Sequence, residues 1–167
     1  MLLSRCNVYA FCSRGVNYQG HLIGGALTYL AISYVVPFEH LSWEVHVGNF
    51  LACMLGALFP DIDTKSKGQK IFYSVVAVLI GILFVQQRYD IISFVCVIAL
   101  LPLMVRHRGL FHKLWFLAFC ASGIAIVITW MNMSWQPIGL SLALYFFLGA
   151  LSHIVLDQTF IAIKYMN

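Results

Sequence analysis

Apolar residues fall into six long runs along this chain, at roughly 22–38, 43–60, 71–87, 91–105, 113–131 and 138–162, separated by short polar connections. Several lie near the short end of the ~17–25 residues an α-helix needs to cross a bilayer. The third and fourth are joined only by "RYD", which predicts a helical hairpin. Pro60 closes the second, because proline lacks the backbone donor a continuing helix requires and restricts the residue before it. The pattern predicts an all-α fold: a polytopic membrane bundle of about six transmembrane helices. It forms a single domain over 20–167, after a semi-polar extension at 1–19.

Composition sharpens this reading. The 167 residues are 62% hydrophobic and only 10% charged, where a soluble domain carries roughly 25% charged residues. Mean hydropathy is +0.89. The N-terminal stretch is not a signal peptide, since Arg5 and Arg14 interrupt its apolar run. None of the five cysteines (Cys6, Cys12, Cys53, Cys96, Cys120) forms a CxxC pair, and three lie within apolar runs, so free thiols are expected.

Charge then orients the bundle. With six spans, Arg5, Arg14, Lys65, Lys67, Lys70, Arg106, Arg108, Lys113 and Lys164 share one side, and Arg88 alone takes the other. That asymmetry predicts both termini in the cytoplasm of a bacterial inner (plasma) membrane.

Four polar stretches break the apolar pattern with metal-binding groups: "GHLIGG", "FPDIDTKSKGQK", "RHRGLFHK" and "LSHIVLDQ". They hold His21, Asp61 and Asp63, His107 and His112, and His153 and Asp157. In the six-span topology all seven converge on the cytoplasmic end. His153 and Asp157, four apart, leave one face of a helix, and ionisable groups within a span mark functional sites. An extended backbone after Pro60 would aim Asp61 and Asp63 to one side, and Gly109 lets a turn bring His107 towards His112. Imidazole with carboxylate suits zinc, and also manganese or iron, at a catalytic site.

Each motif alone has a plainer reading. His21 caps a helix, "PDID" is a solvated helix end, and His153 with Asp157 is an intramembrane hydrogen bond. "RHRGLFHK" is then a basic loop resting on anionic lipid. Their convergence favours a shared site. His40, His46, Glu39 and Glu44 fall on the opposite side and read as interfacial residues. Trp115, Trp130 and Trp135 read as span packing and belts.

The ordered set GH, LFPDID, HRGxxH and SHxxxD resembles the YdjM-like family over roughly residues 20–160. These are bacterial inner-membrane proteins assigned as metal-dependent hydrolases, remotely similar to zinc-dependent phospholipase C and single-strand-specific nucleases. The resemblance implies a metal-site set of His21, Asp61, Asp63, His107, His112, His153 and Asp157, holding a divalent metal, zinc first, as two ions. Two positions depart from the usual pattern. Phe111 and Lys113 flank His112 where relatives often read THS, and Thr64 follows Asp63 where relatives often carry histidine.

The expected function is hydrolysis of a phosphoester in a lipid or lipid-linked substrate at the cytoplasmic face. Metal ions would lower the pKa of a bound water and polarise the phosphoryl oxygen. Asp61 and Asp63 would bridge the ions or orient the water. Arg106, Arg108 and Lys113 would hold an anionic substrate or headgroup, and Arg108 or Lys67 would stabilise developing charge. The partners implied are membrane lipids and that substrate, with no nucleic acid expected. A metal transporter or sensor would instead place its ligands near the midplane. A non-catalytic protein would use the cluster as a structural staple.

Overall fold

A computed structural model describes residues 16–35, 42–62, 67–89, 92–93, 95–96, 99–100 and 110–166. Among the described residues all regular structure is helical. The helices are α1 (Tyr18–Val35), α2 (Trp43–Leu58), α3 (Lys67–Val85), α4 (Leu114–Met131) and α5 (Gln136–Met166), with 3-10 turns at Phe59–Asp61 and Met133–Trp135. Most of the expected fourth run, 91–105, lies outside the described residues.

Local chemistry sets the ends. Asn17 caps α1, its Oδ1 accepting the Gly20 N–H at 2.9 Å. Pro60 stops α2 and sits in the first turn of the 3-10 helix that follows, closed by Ile62 N–H donating to the Phe59 carbonyl at 3.1 Å. α3 ends in a Schellman motif without glycine. Gln87 takes φ 58°, Arg88 N–H reaches the Leu83 carbonyl and Gln87 N–H the Phe84 carbonyl. Asn132 ends α4, and its Oδ1 accepts from Ser134 N at 3.0 Å, so the chain reverses within one 3-10 turn and enters α5.

α5 is the central helix and packs against α1, α2 and α4. Its contact with α2 is the most extensive, made possible by Gly56 and Gly149. A Cβ at Gly56 would strike the Phe146 carbonyl, and one at Gly149 the Cys53 carbonyl. Small residues are what allow helix backbones to approach this closely in a membrane bundle. Along α5 the residues at four-residue spacing, Ser141, Tyr145, Gly149 and His153, are all buried. Opposite them lie Asn49 and Cys53 of α2 and His21 and Gly25 of α1, also buried.

Large apolar side chains face outward instead: Ile23, Leu27 and Leu30 on α1, Val47 and Leu51 on α2, and Phe119 and Ile126 on α4. This inverts the soluble pattern and suits a lipid surround. Among the described residues, three helical stretches are long and apolar enough to cross a membrane: Lys67–Val85, Leu114–Met131 and Met133–Phe160. α2 has only 16 residues, and α1 spends its first turn on Tyr18, Gln19, Gly20 and His21.

An aromatic core locks one end of the bundle. The Phe59 ring meets Phe146 at 5.1 Å, Phe111 at 5.6 Å and Phe72 at 6.1 Å, and Phe111 meets Phe116 at 5.1 Å, all edge to face. Phe59 stands two residues before Asp61 and Phe111 one before His112, so burying these rings pins both polar connections.

Candidate metal centre

Four elements deliver polar groups to this end. His21 comes from the first turn of α1, Asp61 from the 3-10 turn after α2, His112 from the turn before α4, and His153 and Asp157 from α5. His153 lies seventeen residues beyond Gln136, about 26 Å along the helix at ~1.5 Å per residue. Trp130 and Trp135 mark the opposite end, so the cluster sits close to one hydrocarbon thickness (~30 Å) from that aromatic level.

His153 is the hub and is fully buried. Its Nδ1 lies 2.7 Å from the Ala57 carbonyl oxygen. A carbonyl only accepts, so Nδ1 carries a proton, and Nε2 presents a lone pair in the neutral ring or a second N–H in the imidazolium. That Nε2 has no hydrogen-bond partner, yet it faces Asp157 Oδ2 at 3.5 Å and Asp61 Oδ1 at 3.8 Å. A nitrogen lone pair pointed at two carboxylates is repulsive unless a proton or a cation lies between them. The backbone bond to Nδ1 is also the outer-shell contact by which ligating histidines are oriented.

His21, also buried, stacks on His153 with ring centroids 3.7 Å apart and planes 14° from parallel. Its Nε2 lies 3.5 Å from Asp157 Oδ1, while its Nδ1 is buried without a hydrogen-bond partner. Asp157 Oδ1 also receives the Val16 N–H at 3.4 Å. The His112 ring meets His153 edge to face, centroids 5.5 Å apart at 72°. Two sets offer ligand atoms within 4.8 Å of one another: His21, Asp61 and His153, and His112, His153 and Asp157. Three imidazoles and two carboxylates gathered here are a donor set of the kind that divalent cations take.

Asp63, Arg106, His107 and Arg108 lie outside the described residues. Asp61 is not on extended backbone: the 3-10 turn forms because Phe59, Pro60 and Ile62 are all buried on the bundle side. Lys67 is exposed at the start of α3, its Nζ over the Tyr18 ring, 5.1 Å from the centroid. Lys113 is the exposed N-cap residue of α4, next to His112.

Some contributors were invisible in the motifs. Ala57 acts through its carbonyl and Val16 through its N–H, which no side-chain pattern reveals. Phe111 is a core anchor 1% exposed.

In comparison with known proteins, the family model for the YdjM inner membrane protein matches residues 16–160. No curated protein and no solved structure matches the chain.

Proposed function

The chain belongs to the YdjM inner membrane protein family, and from that premise we propose that it is a multi-pass, metal-dependent phosphoesterase acting on a lipid or lipid-linked substrate. In this reading the bundle has six spans with both termini in the cytoplasm, as the distribution of lysine and arginine favours. The cluster then opens at the cytoplasmic leaflet, at headgroup level.

The observation that carries the reading is His153 Nε2, its ring held by the Ala57 carbonyl, facing Asp61 and Asp157. His21, Asp61, His112, His153 and Asp157 would hold the cation, with Asp63 and His107 completing the set. Zinc suits this mixture of imidazole and carboxylate. A divalent cation there supplies a lowered pKa for a bound water, towards ~7, and polarisation of a phosphoryl oxygen. The residues do the rest. Asp61, part-exposed at the rim, orients the attacking water and accepts its proton. Lys113, Arg106 and Arg108 draw the anionic headgroup to the mouth. Placing all ligands at one end of the bundle favours hydrolysis over transport, which would put them near the midplane.

The test is metal content of detergent-purified protein by plasma mass spectrometry, followed by phosphate-ester release from phospholipid vesicles. Zinc or manganese lost in His153→Ala, with release that follows metal content, supports the proposal. A metal-loaded protein that cleaves no phosphoester across a headgroup panel removes the hydrolase reading.

A further inference from the structure

We propose that α3 carries a binding site for one anionic phospholipid, its phosphate at Lys70 and an acyl chain in the groove that descends from Lys70 along the helix. The site is separate from the His153 cluster and does not depend on the hydrolase reading.

Charge points to an anion. α3 opens with Lys67 and Lys70 in its first turn, and Lys67–Val85 contains no acidic residue. A helix N-terminus already carries partial positive charge and unpaired N–H groups, so acids are favoured there and lysines are not. Two lysines without an acid in that turn run against helix electrostatics. A bound phosphate removes the conflict.

Shape extends the anion into an amphiphile. A groove of about 520 Å³ is lined by Gln69, Lys70, Tyr73, Ser74 and Ala77, positions three and four apart on one helix face. Tyr73 OH donates to the Ala99 carbonyl and Ser74 Oγ to the Lys70 carbonyl, each at 2.9 Å, so both hydroxyl protons are already used. The charged donor of the groove is therefore the exposed Lys70 at its upper end. Ala77 lies seven residues further on, about 10 Å deeper at ~1.5 Å per residue, within a stretch apolar enough to cross a membrane. Gly81 continues the same face, and a Cβ there meets nothing within 4 Å. Free phosphate would fill only the upper end and an apolar helix only the lower. A phospholipid fills both.

The face decides what kind of lipid this is. Gly68 and Leu83 are buried, and Phe72 packs on Phe59 in the aromatic core. At ~100° per residue, Lys70, Ser74 and Ala77 project roughly opposite to those three. The groove thus opens away from Asp61 and the His153 cluster, towards the bilayer, and its occupant is a resident lipid rather than a substrate.

Basic residues draw anionic headgroups to any membrane surface, so the test separates a site from diffuse attraction. Native mass spectrometry of the full-length chain in detergent, titrated with phosphatidylglycerol or phosphatidylcholine of equal chain length, counts lipids per chain. Wild type should retain one phosphatidylglycerol in preference to phosphatidylcholine. Lys70→Ala should weaken that binding about fivefold or more. Ala77→Phe, which fills the groove and keeps every charge, should weaken it as well. Lys164→Ala, which removes one lysine from α5, should leave it unchanged. Equal binding of the two lipids, equal losses in Lys70→Ala and Lys164→Ala, or full binding by Ala77→Phe overturns the site. Displacement of the lipid by an equal concentration of glycerol 3-phosphate shows a phosphate site without a groove and overturns it too. Lys70 and Ala77 are both exposed, and the wild-type preference between the lipids decides even where a variant fails to fold.

Discussion

Gly56 of α2 and Gly149 of α5 are each pressed against the other helix's backbone, Gly56 on the Phe146 carbonyl and Gly149 on the Cys53 carbonyl. Backbone cannot swing aside as a side chain can, so an added methyl at either position must separate the helices. The same separation would draw the Ala57 carbonyl away from His153 Nδ1. Gly149→Ala is therefore expected to cost about 1–3 kcal/mol and to weaken metal retention. Gly123→Ala is the control, because a Cβ there meets nothing within 4 Å. It should be neutral or stabilising by up to about 1 kcal/mol, from helix propensity. Fluorescence-monitored melting of both variants in detergent, with metal content alongside, checks the pair.

Ser141 Oγ donates to Asn49 Oδ1 at 2.9 Å across the same helix pair, in the half of the bundle remote from the His153 cluster. Asn49 is fully buried, and its Nδ2 has no hydrogen-bond partner. Ser141→Ala leaves the amide with still less, at an expected cost of about 0.6–1.7 kcal/mol, as for polar pairs within membranes. Asn49→Leu combined with Ser141→Ala removes the buried polar group altogether. The double variant should melt higher than the sum of the single shifts predicts. Additive shifts in a double-mutant cycle would show that the two side chains are uncoupled.

Removing metal should destabilise the fold. Without a cation, the His153 lone pair is left facing Asp61 and Asp157 inside a packed interface. Zinc at a hundred times its dissociation constant is expected to add about 2.7 kcal/mol. The melting midpoint of chelator-treated wild type should rise on adding zinc, and that of His153→Ala should not. An unchanged wild-type midpoint would count against a cation at this cluster.

Cys53 is fully buried, its Sγ donating to the Gly25 carbonyl at 3.2 Å where α1 and α2 meet. A maleimide added to the native protein in detergent should leave Cys53 unmodified, and denaturant should expose it. Peptide mass spectrometry reads each cysteine separately. Cys53→Ser should be tolerated because a hydroxyl can make the same bond. Cys53→Leu should force α1 from α2 and lower the melting midpoint, at a cost of about 1–3 kcal/mol.

Much of this molecule follows from short-range patterns. Apolar runs specify helices because a helix satisfies its own backbone hydrogen bonds in lipid. Five of the six runs match α1 to α5 to within a few residues, and the fourth lies mostly outside the described residues. Pro60 ends α2 for a reason confined to three residues. His153 and Asp157 share a face because helical periodicity is local. The four motifs were likewise enough to indicate the family.

What spacing could not supply is distance between elements. His21 and His153 are 132 positions apart, and their stacking depends on how closely α1 packs on α5 at Gly24, against Leu156, and on α2 at Gly25, against Ala57. Asp61 was expected on extended chain, yet burial of Phe59 and Ile62 on the same side winds it into a 3-10 turn. Ala57 and Val16 contribute main-chain atoms, and every residue type carries those. The sequence by itself determined the helices, the lipid-facing composition and the identities of the candidate metal-binding groups, all functions of side-chain chemistry and local period. Only the tertiary structure decided which lone pair points at which carboxylate, because that depends on close packing at Gly25, Gly56 and Gly149.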